Sequence, residues 1–385
     1  MKNLTGLKSV VVVSFLAVSF LLIFSNCTKK AEDKNIIKVG EFGSMTGSEA
    51  TFGISTHNGI MLAVTDANAA GGVKGKQIKV ISVDDQSKAE EAATAITKLI
   101  TQDKVIAVLG EVASSNSLAA APIAQRHGIP MVSPSSTNPK VTQVGDYIFR
   151  TCFIDPFQGS VMAIFASKTL KAKNVAILRD VKSDYSVGLS EYFKKTFEGL
   201  GGKVLIDVSY VGGDKDFKSQ LTAIRAKKVD AIFVPGYYNS VGLIGRQARE
   251  LGIKAPLLGG DGWDSEDLTK VAGNALDNSY FSNHMSTESK DPLIVDFVEK
   301  YRKSFGKEPD GLAAMGYEAA VILIDAMKRT TNLTSKEIRD ALAQTKNFRT
   351  LTGEISINEN RDAVKSAVVL VVRDKKFKYV ETVKP

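Results

Sequence analysis

Three hydroxyl-rich stretches stand directly after short β-branched runs: Gly43-Ser44-Met45-Thr46-Gly47-Ser48, Gly110-Glu111-Val112-Ala113-Ser114-Ser115-Asn116 and Ser133-Pro134-Ser135-Ser136-Thr137. Three more stretches, in the middle of the chain, offer aromatics and acid instead: Asp180-Val181-Lys182-Ser183-Asp184-Tyr185, Pro235-Gly236-Tyr237-Tyr238 and Gly260-Asp261-Gly262-Trp263. Hydroxyls and free backbone amides at helix starts hold anions, and a carboxylate accepts several charge-assisted bonds there without a counter-lysine. A lone acid such as Asp261 suits an ammonium group, and tyrosines cover an apolar stem. Taken together, the six stretches describe a site for a small zwitterion. A serine or threonine after a strand also serves as the N-cap of the next helix. For any one stretch that plainer role stands beside the binding role.

These stretches have to be held by the elements around them, and the chain repeats one rhythm: a β-branched run, a polar turn, an amphipathic segment. Strands are expected at 37–42, 77–84, 105–109 and 130–133, with helices at 53–69, 88–101 and 117–127. After Cys152 the rhythm restarts, with strands at 175–179, 204–211, 231–235 and 256–259 and helices at 188–200, 217–227 and 241–251. Such alternation argues for α/β architecture, two doubly wound parallel sheets with helices on both faces. In open parallel sheets ligands bind beyond the carboxyl ends of the strands, where these six stretches lie. Segments 292–305, 316–328 and 335–343 read as helices and 367–379 as a hairpin. That long return suggests a chain that crosses back to complete the first lobe. No low-complexity linker separates the lobes, so several crossing strands form the hinge.

The start of the chain addresses its location. Residues 1–8 carry two lysines and no acid, residues 9–24 are apolar or small, and Ser25, Asn26 and Cys27 follow. This reads as an export signal, and its 16-residue core is short against the ~20 apolar residues of a spanning helix. Cys27 resembles the lipidated cysteine of bacterial lipoproteins, with Phe24 where leucine is usual and Asn26 where glycine or alanine is commoner. A retained anchor helix is the alternative, and either reading puts residues 36–385 outside the cytoplasm. Removing residues 1–26 leaves 359 of 385 residues, enough for two domains, and lowers the formal charge from +8 to +6. The lysines are scattered among acids, unlike the clustered arginine and aromatics of a nucleic-acid surface. With Cys27 lipidated, Cys152 has no partner and the fold must hold without a disulfide.

Other chemistry is poorly represented. Gly71-Gly72-Val73-Lys74-Gly75-Lys76 lacks phosphate-loop spacing and precedes a strand, so it reads as a turn. His57, His127 and His284 are the only histidines, without HExxH or paired cysteines, so neither a metal nor a cofactor is expected. No GxSxG elbow surrounds Ser114, which removes the nucleophile reading. Asp84 and Asp85 read as a helix-start acid and a hinge-side surface charge, not a catalytic pair. Trp263 either packs its loop or touches ligand.

From about residue 36 to 379 the chain resembles the branched-chain amino-acid binding proteins, the leucine/isoleucine/valine receptors of ABC importers. The resemblance rests on 43–53 (GSMTGSEATFG), Gly71-Gly72-Val73-Lys74-Gly75, 133–139 (SPSSTNP), 216–221 and 245–251 (GRQAREL), in order and spacing. It implies a type I periplasmic-binding fold, two lobes joined by three hinge crossings, and roles by position. Ser114 and Thr137, with Ser115 adjacent, match the hydroxyls that hold a ligand carboxylate. Ser135 matches the residue whose carbonyl meets the ammonium, and Asp261 the acid opposite it. Phe52, Tyr185, Tyr237 and Leu312 match the side-chain pocket. Two departures are visible: Ala113 and Gln86 replace a disulfide found in some relatives, and Leu312 replaces an aromatic.

The expectation is a monomeric, Cys27-anchored receptor that takes a free amino acid between closing lobes and delivers it to a membrane permease, without catalysis. Lobe 1 is expected at 36–155 plus 284–363 and lobe 2 at 156–283 plus 364–385, after a leader at 1–26 and a tether at 27–35. A sensory ectodomain acting on a signalling partner is the alternative from another class, and an amide- or urea-binding receptor the alternative within this one.

Overall fold

The computed structural model describes Asn35–Pro385; the leader, Cys27 and the tether before Asn35 lie outside the described residues. The first sheet holds β1 (Ile36–Gly43), β2 (Gln77–Asp84), β3 (Val108–Leu109), β4 (Met131–Ser133) and β5 (Ile148–Arg150), all parallel in the order β2-β1-β3-β4-β5. Period-two alternation splits its side chains between two cores. Ile37 and Val39 face the helices Ala50–Ala69, Gly311–Arg329 and Ser335–Ala343, while Phe42 faces Ala89–Thr101 and Ser114–His127.

The second sheet repeats the plan with β6 (Asn174–Asp180), β7 (Lys203–Tyr210), β8 (Ala231–Phe233), β9 (Leu257–Gly259) and β10 (Tyr280–Asn283), parallel in the order β10-β9-β8-β6-β7. Val175 and Ile177 pack with the helices Asp155–Ile164 and Asp184–Gly199, and Ala176 and Leu178 with Lys218–Ala226 and Tyr238–Glu250. A small antiparallel sheet of β11 (Phe348–Thr350), β12 (Gly353–Ile357) and β13 (Ala363–Val364) follows. The chain then adds β14 (Ala367–Arg373), antiparallel to β10, and β15 (Lys376–Val383), antiparallel to β14, at the edge of the second sheet. It passes between the two sheets after β5, after β10 and between β13 and β14. These passes account for the missing linker.

Strand order reverses between β1 and β3 in one sheet and between β6 and β8 in the other, which opens a crevice at the carboxyl ends of those strands. Close packing brings two helix starts to it. A Cβ on Gly59 would stand 1.9 Å from the Ala313 carbonyl oxygen, and one on Gly316 2.2 Å from that of Thr56. Only glycine lets the helices Ala50–Ala69 and Gly311–Arg329 approach so closely, carrying Phe52 and Leu312 to the crevice.

Several boundaries differ from the sequence reading for identifiable reasons. Gly311–Arg329 begins five residues before the expected 316, because Asp310 accepts from Ala313 N at 2.8 Å and caps it. Ser114–His127 begins three residues before the expected 117, where serines resemble a loop. Of 105–109 only Val108–Leu109 pairs as strand. β5, β10 and the small sheet are too short, at two to five residues, to show alternation.

Candidate functional site

The loops of the two sheets are hydrogen-bonded to each other across the crevice. Ser115 Oγ donates to Asp184 Oδ2 at 2.9 Å and accepts from Asp184 N at 3.1 Å. Asn138 Nδ2 donates to Asp184 O at 2.7 Å, Tyr238 Oη to Ser48 O at 2.9 Å, and Thr51 and Ser265 hydroxyls lie 3.0 Å apart. Ser115, expected beside a ligand carboxylate, therefore stands in a latch between the sheets. Ser115→Ala removes both half-buried bonds to Asp184 and is expected to weaken closure-dependent binding by about 1 kcal/mol or more, roughly five-fold in Kd by calorimetry. An unchanged Kd contradicts the latch.

Behind the latch lies a narrow cavity of about 10 Å³ lined by Phe52, Val112, Ser135, Tyr185, Tyr237, Asp261, Gly262 and Leu312. That is room for about one water molecule, so the loops must part before a solute can enter. Six of these residues were expected from the sequence; Val112 and Gly262 were not. One wall is aromatic. Tyr185 and Tyr237 stack at 5.3 Å, and Phe52 meets Tyr237 edge-on at 5.4 Å. Burial drives both phenols well above their usual range, so they stay protonated, and Tyr185 Oη accepts from Gly262 N at 3.2 Å. Trp263 packs its own lobe instead: it is fully buried, tilts against Phe281 and donates to Val234 O at 3.0 Å.

The polar end gathers around Asp261. Its backbone N donates to Gln158 Oε1 at 2.8 Å, and its Oδ2 lies 3.0 Å from His284 Nε2 and 3.4 Å from Ser135 Oγ. Its Oδ1 has no hydrogen-bond partner within the protein, nor do Thr137 Oγ1, both Asp155 oxygens or Gln158 Nε2. Buried polar groups are overwhelmingly partnered, so this concentration marks where a polar ligand belongs. Burial pushes the Asp155 carboxyl up to about 8, with Thr137 beside it pulling the other way, so it is largely neutral at pH 7. The N-cap alternative fails for the two key hydroxyls. Ser114 is itself the first helical residue and its Oγ accepts from Asn138 N at 3.3 Å, while Thr137 caps nothing. Both are buried and neither lines the cavity: Ser114 stands at the amide-rich start of Ser114–His127 and Thr137 beside Asp155. Asp155, Gln158 and His284 escaped the sequence reading; β10, which places His284, is only four residues long.

Two buried networks hold the hydroxyl loops in place. Arg150 is fully buried and pairs with Asp362 at 2.7 Å; its guanidinium also donates to Ser136 O, to Asn138 O at 2.9 Å and to Thr142 Oγ1 at 3.1 Å. Ser44 Oγ sits between Asp85 Oδ1 at 2.9 Å and Glu111 Oε1 at 3.1 Å. Asp85 is thus not the surface charge expected: it is fully buried, and burial together with its carboxylate neighbour drives Glu111 well above the usual range. This network ties together the loops after β1, β2 and β3. Cys152, the free cysteine of the described residues, is buried and burial pushes its thiol to about 12.

Residues 36–376 match the profile described as periplasmic binding protein. The chain is 30% identical over 85% of its length, and 87% of the relative's, to the leucine-, isoleucine-, valine-, threonine-, and alanine-binding protein of Pseudomonas aeruginosa. Among solved structures it is similar to a leucine binding protein from Thermotoga maritima, with a TM-score of 0.87 and 41% identity, covering 91% of this chain and 99% of that one. It is equally similar in fold, at 0.87 and 38% identity over 91% and 100%, to a branched-chain amino acid transporter substrate binding protein from Streptococcus pneumoniae in complex with isoleucine.

Proposed function

The chain belongs to the periplasmic binding protein family, and from that premise we propose that it is the extracytoplasmic solute receptor of an ABC importer, taking a free amino acid with a branched or other apolar side chain. The observation that carries the reading is the cavity between the two sheets, apolar and aromatic on one wall and ending in the free Oδ1 of Asp261. Its relatives' ligands, leucine, isoleucine and valine among them, have that shape and that charge.

In this account Ser114, Thr137 and the amides at the start of Ser114–His127 take the carboxylate while the lobes stand open. Closure then brings Asp261 onto the ammonium, with the Ser135 carbonyl opposite, and lays Phe52, Tyr185, Tyr237 and Leu312 on the side chain. The lobes comprise 36–155 plus 284–363 and 156–283 plus 364–385, and the permease reads their closed shape, a hinge switch of a common kind. The receptor works as a monomer, tethered to the membrane through lipid on Cys27. An acid at position 261 favours an amine-bearing ligand over amides and urea.

A thermal-shift screen tests the class. A ligand that binds only the folded protein adds RT ln(1 + [L]/Kd), about 2.7 kcal/mol at a hundred times Kd. Leucine, isoleucine and valine are expected to raise Tm, and aspartate, lysine, benzoate and urea to leave it unchanged. Stabilisation by benzoate or urea alone overturns the assignment.

A further inference from the structure

The acid assigned to the ligand's ammonium does not stand alone. We propose that His284 is a positioning residue for that acid: its Nε2–H holds Oδ2 of Asp261, so that Oδ1 is the oxygen left to meet the ammonium, and its neutrality is a condition of binding. The inference rests on the amino-acid reading of the site.

Three observations carry it. His284 Nε2 lies 3.0 Å from Asp261 Oδ2, with both side chains buried, whereas Asp261 Oδ1 has no partner. An ionised carboxylate only accepts, so Nε2 must carry the proton and Nδ1, which has no partner, must be the bare nitrogen of a neutral ring. The ring is also fixed in place. Phe153 stacks on it at 3.9 Å and 25°, and its own backbone N donates to Asn283 Oδ1 at 2.7 Å. His284 comes directly after β10, where the chain passes between the sheets, so it couples the acid of the second sheet to the hinge.

The charges around the ring decide the pH behaviour. Asp261 faces it from the loop after β9; Lys365, from the pass before β14, and Glu318, from Gly311–Arg329, act from farther away and pair with each other at 2.8 Å. Burial outweighs the Asp261 hydrogen bond and holds the imidazole below its usual value near 6.5. At neutral pH the ring is therefore uncharged and does not compete with the ammonium for Asp261. As pH falls through the lowered value, a proton on Nδ1 makes the ring a cation that satisfies Asp261 itself and repels the ligand. A bound ammonium disfavours that proton further, so binding releases it and affinity falls toward acid pH, by up to about ten-fold per pH unit for one linked proton.

Leucine binding by calorimetry on the intact protein at pH 7.5, 6.0 and 5.0 tests this. Asp155, Asp264 and Asp85 also titrate in this range, at about 8, 7 and 6, so the histidine's share is the difference between wild type and H284Q. Glutamine keeps an N–H donor and cannot be charged. H284Q is expected to bind within about three-fold of wild type at pH 7.5 and to lack about five-fold of the loss that wild type suffers by pH 5.0. H284L, which leaves Oδ2 unheld, is expected to bind about ten-fold more weakly at pH 7.5. The inference is overturned if H284Q follows the wild-type pH profile, a comparison that does not depend on H284L folding. It is equally overturned if folded H284L binds like wild type while D261N has lost affinity. If D261N itself binds normally, the amino-acid reading of the site has failed instead.

Discussion

Asp261→Asn is expected to weaken the binding of leucine by two orders of magnitude or more while leaving the fold intact. Asparagine matches aspartate in shape, so the backbone bond to Gln158 survives, and a side-chain oxygen can still accept from His284. The charge is what disappears. Asp261 is buried, and a ligand ammonium drawn into the same cavity would meet no counter-charge; removing one partner of a buried pair costs about 3–5 kcal/mol. That corresponds to roughly 150-fold to 5,000-fold in Kd. Asp155 cannot substitute, because burial keeps its carboxyl largely neutral at pH 7. Calorimetry of the variant at pH 7.5 reads the effect, and a Kd within about three-fold of wild type would remove Asp261 from the site.

Arg150→Met is expected to damage both stability and binding, although Arg150 does not line the cavity. Its guanidinium is fully buried and serves as the floor of the loop 136–142, donating to the carbonyls of Ser136 and Asn138 and to Thr142 Oγ1. Methionine fills much of the volume but abandons these acceptors and leaves the Asp362 carboxylate buried without its cation. Breaking one partner of a buried pair accounts for about 3–5 kcal/mol of lost stability, read as a lowered denaturant midpoint. Loosening Thr137 should add a loss of leucine affinity. Adding Asp362→Asn removes the stranded charge, so the double variant is expected to be more stable than Arg150→Met alone. A single variant as stable as wild type would mean that the loop holds itself.

What could be read in advance followed from pattern strength. Pro292–Phe305 and Ser335–Ala343 match the reading to the residue because each pairs helical periodicity with a clear stop or cap: Pro292, the Asp291 cap and Gly306 for the first, the Thr334 cap for the second. Strands of two to four residues such as Val108–Leu109 and Tyr280–Asn283 carry no periodicity, and neighbours alone make them strands. The site divides the same way. Phe52, Ser135, Tyr185, Tyr237, Asp261 and Leu312 follow recognisable motifs, and all six line one cavity. His284, Asp155 and Gln158 are isolated polar residues in unremarkable stretches, brought to Asp261 only by the passes between sheets. Asp85 reads as a surface acid because nothing local reveals that Glu111 and Ser44 will bury it.

The central claim is that one small cavity recognises a free amino acid through both of its charges. The direct measurement is calorimetric titration of the wild-type protein at pH 7.5 with L-leucine and with 4-methylpentanoate, the same carbon chain and carboxylate without the ammonium. One-to-one binding of leucine with the des-amino acid at least about 100-fold weaker is the predicted result. Equal binding of the two, or binding of the des-amino acid alone, would contradict it.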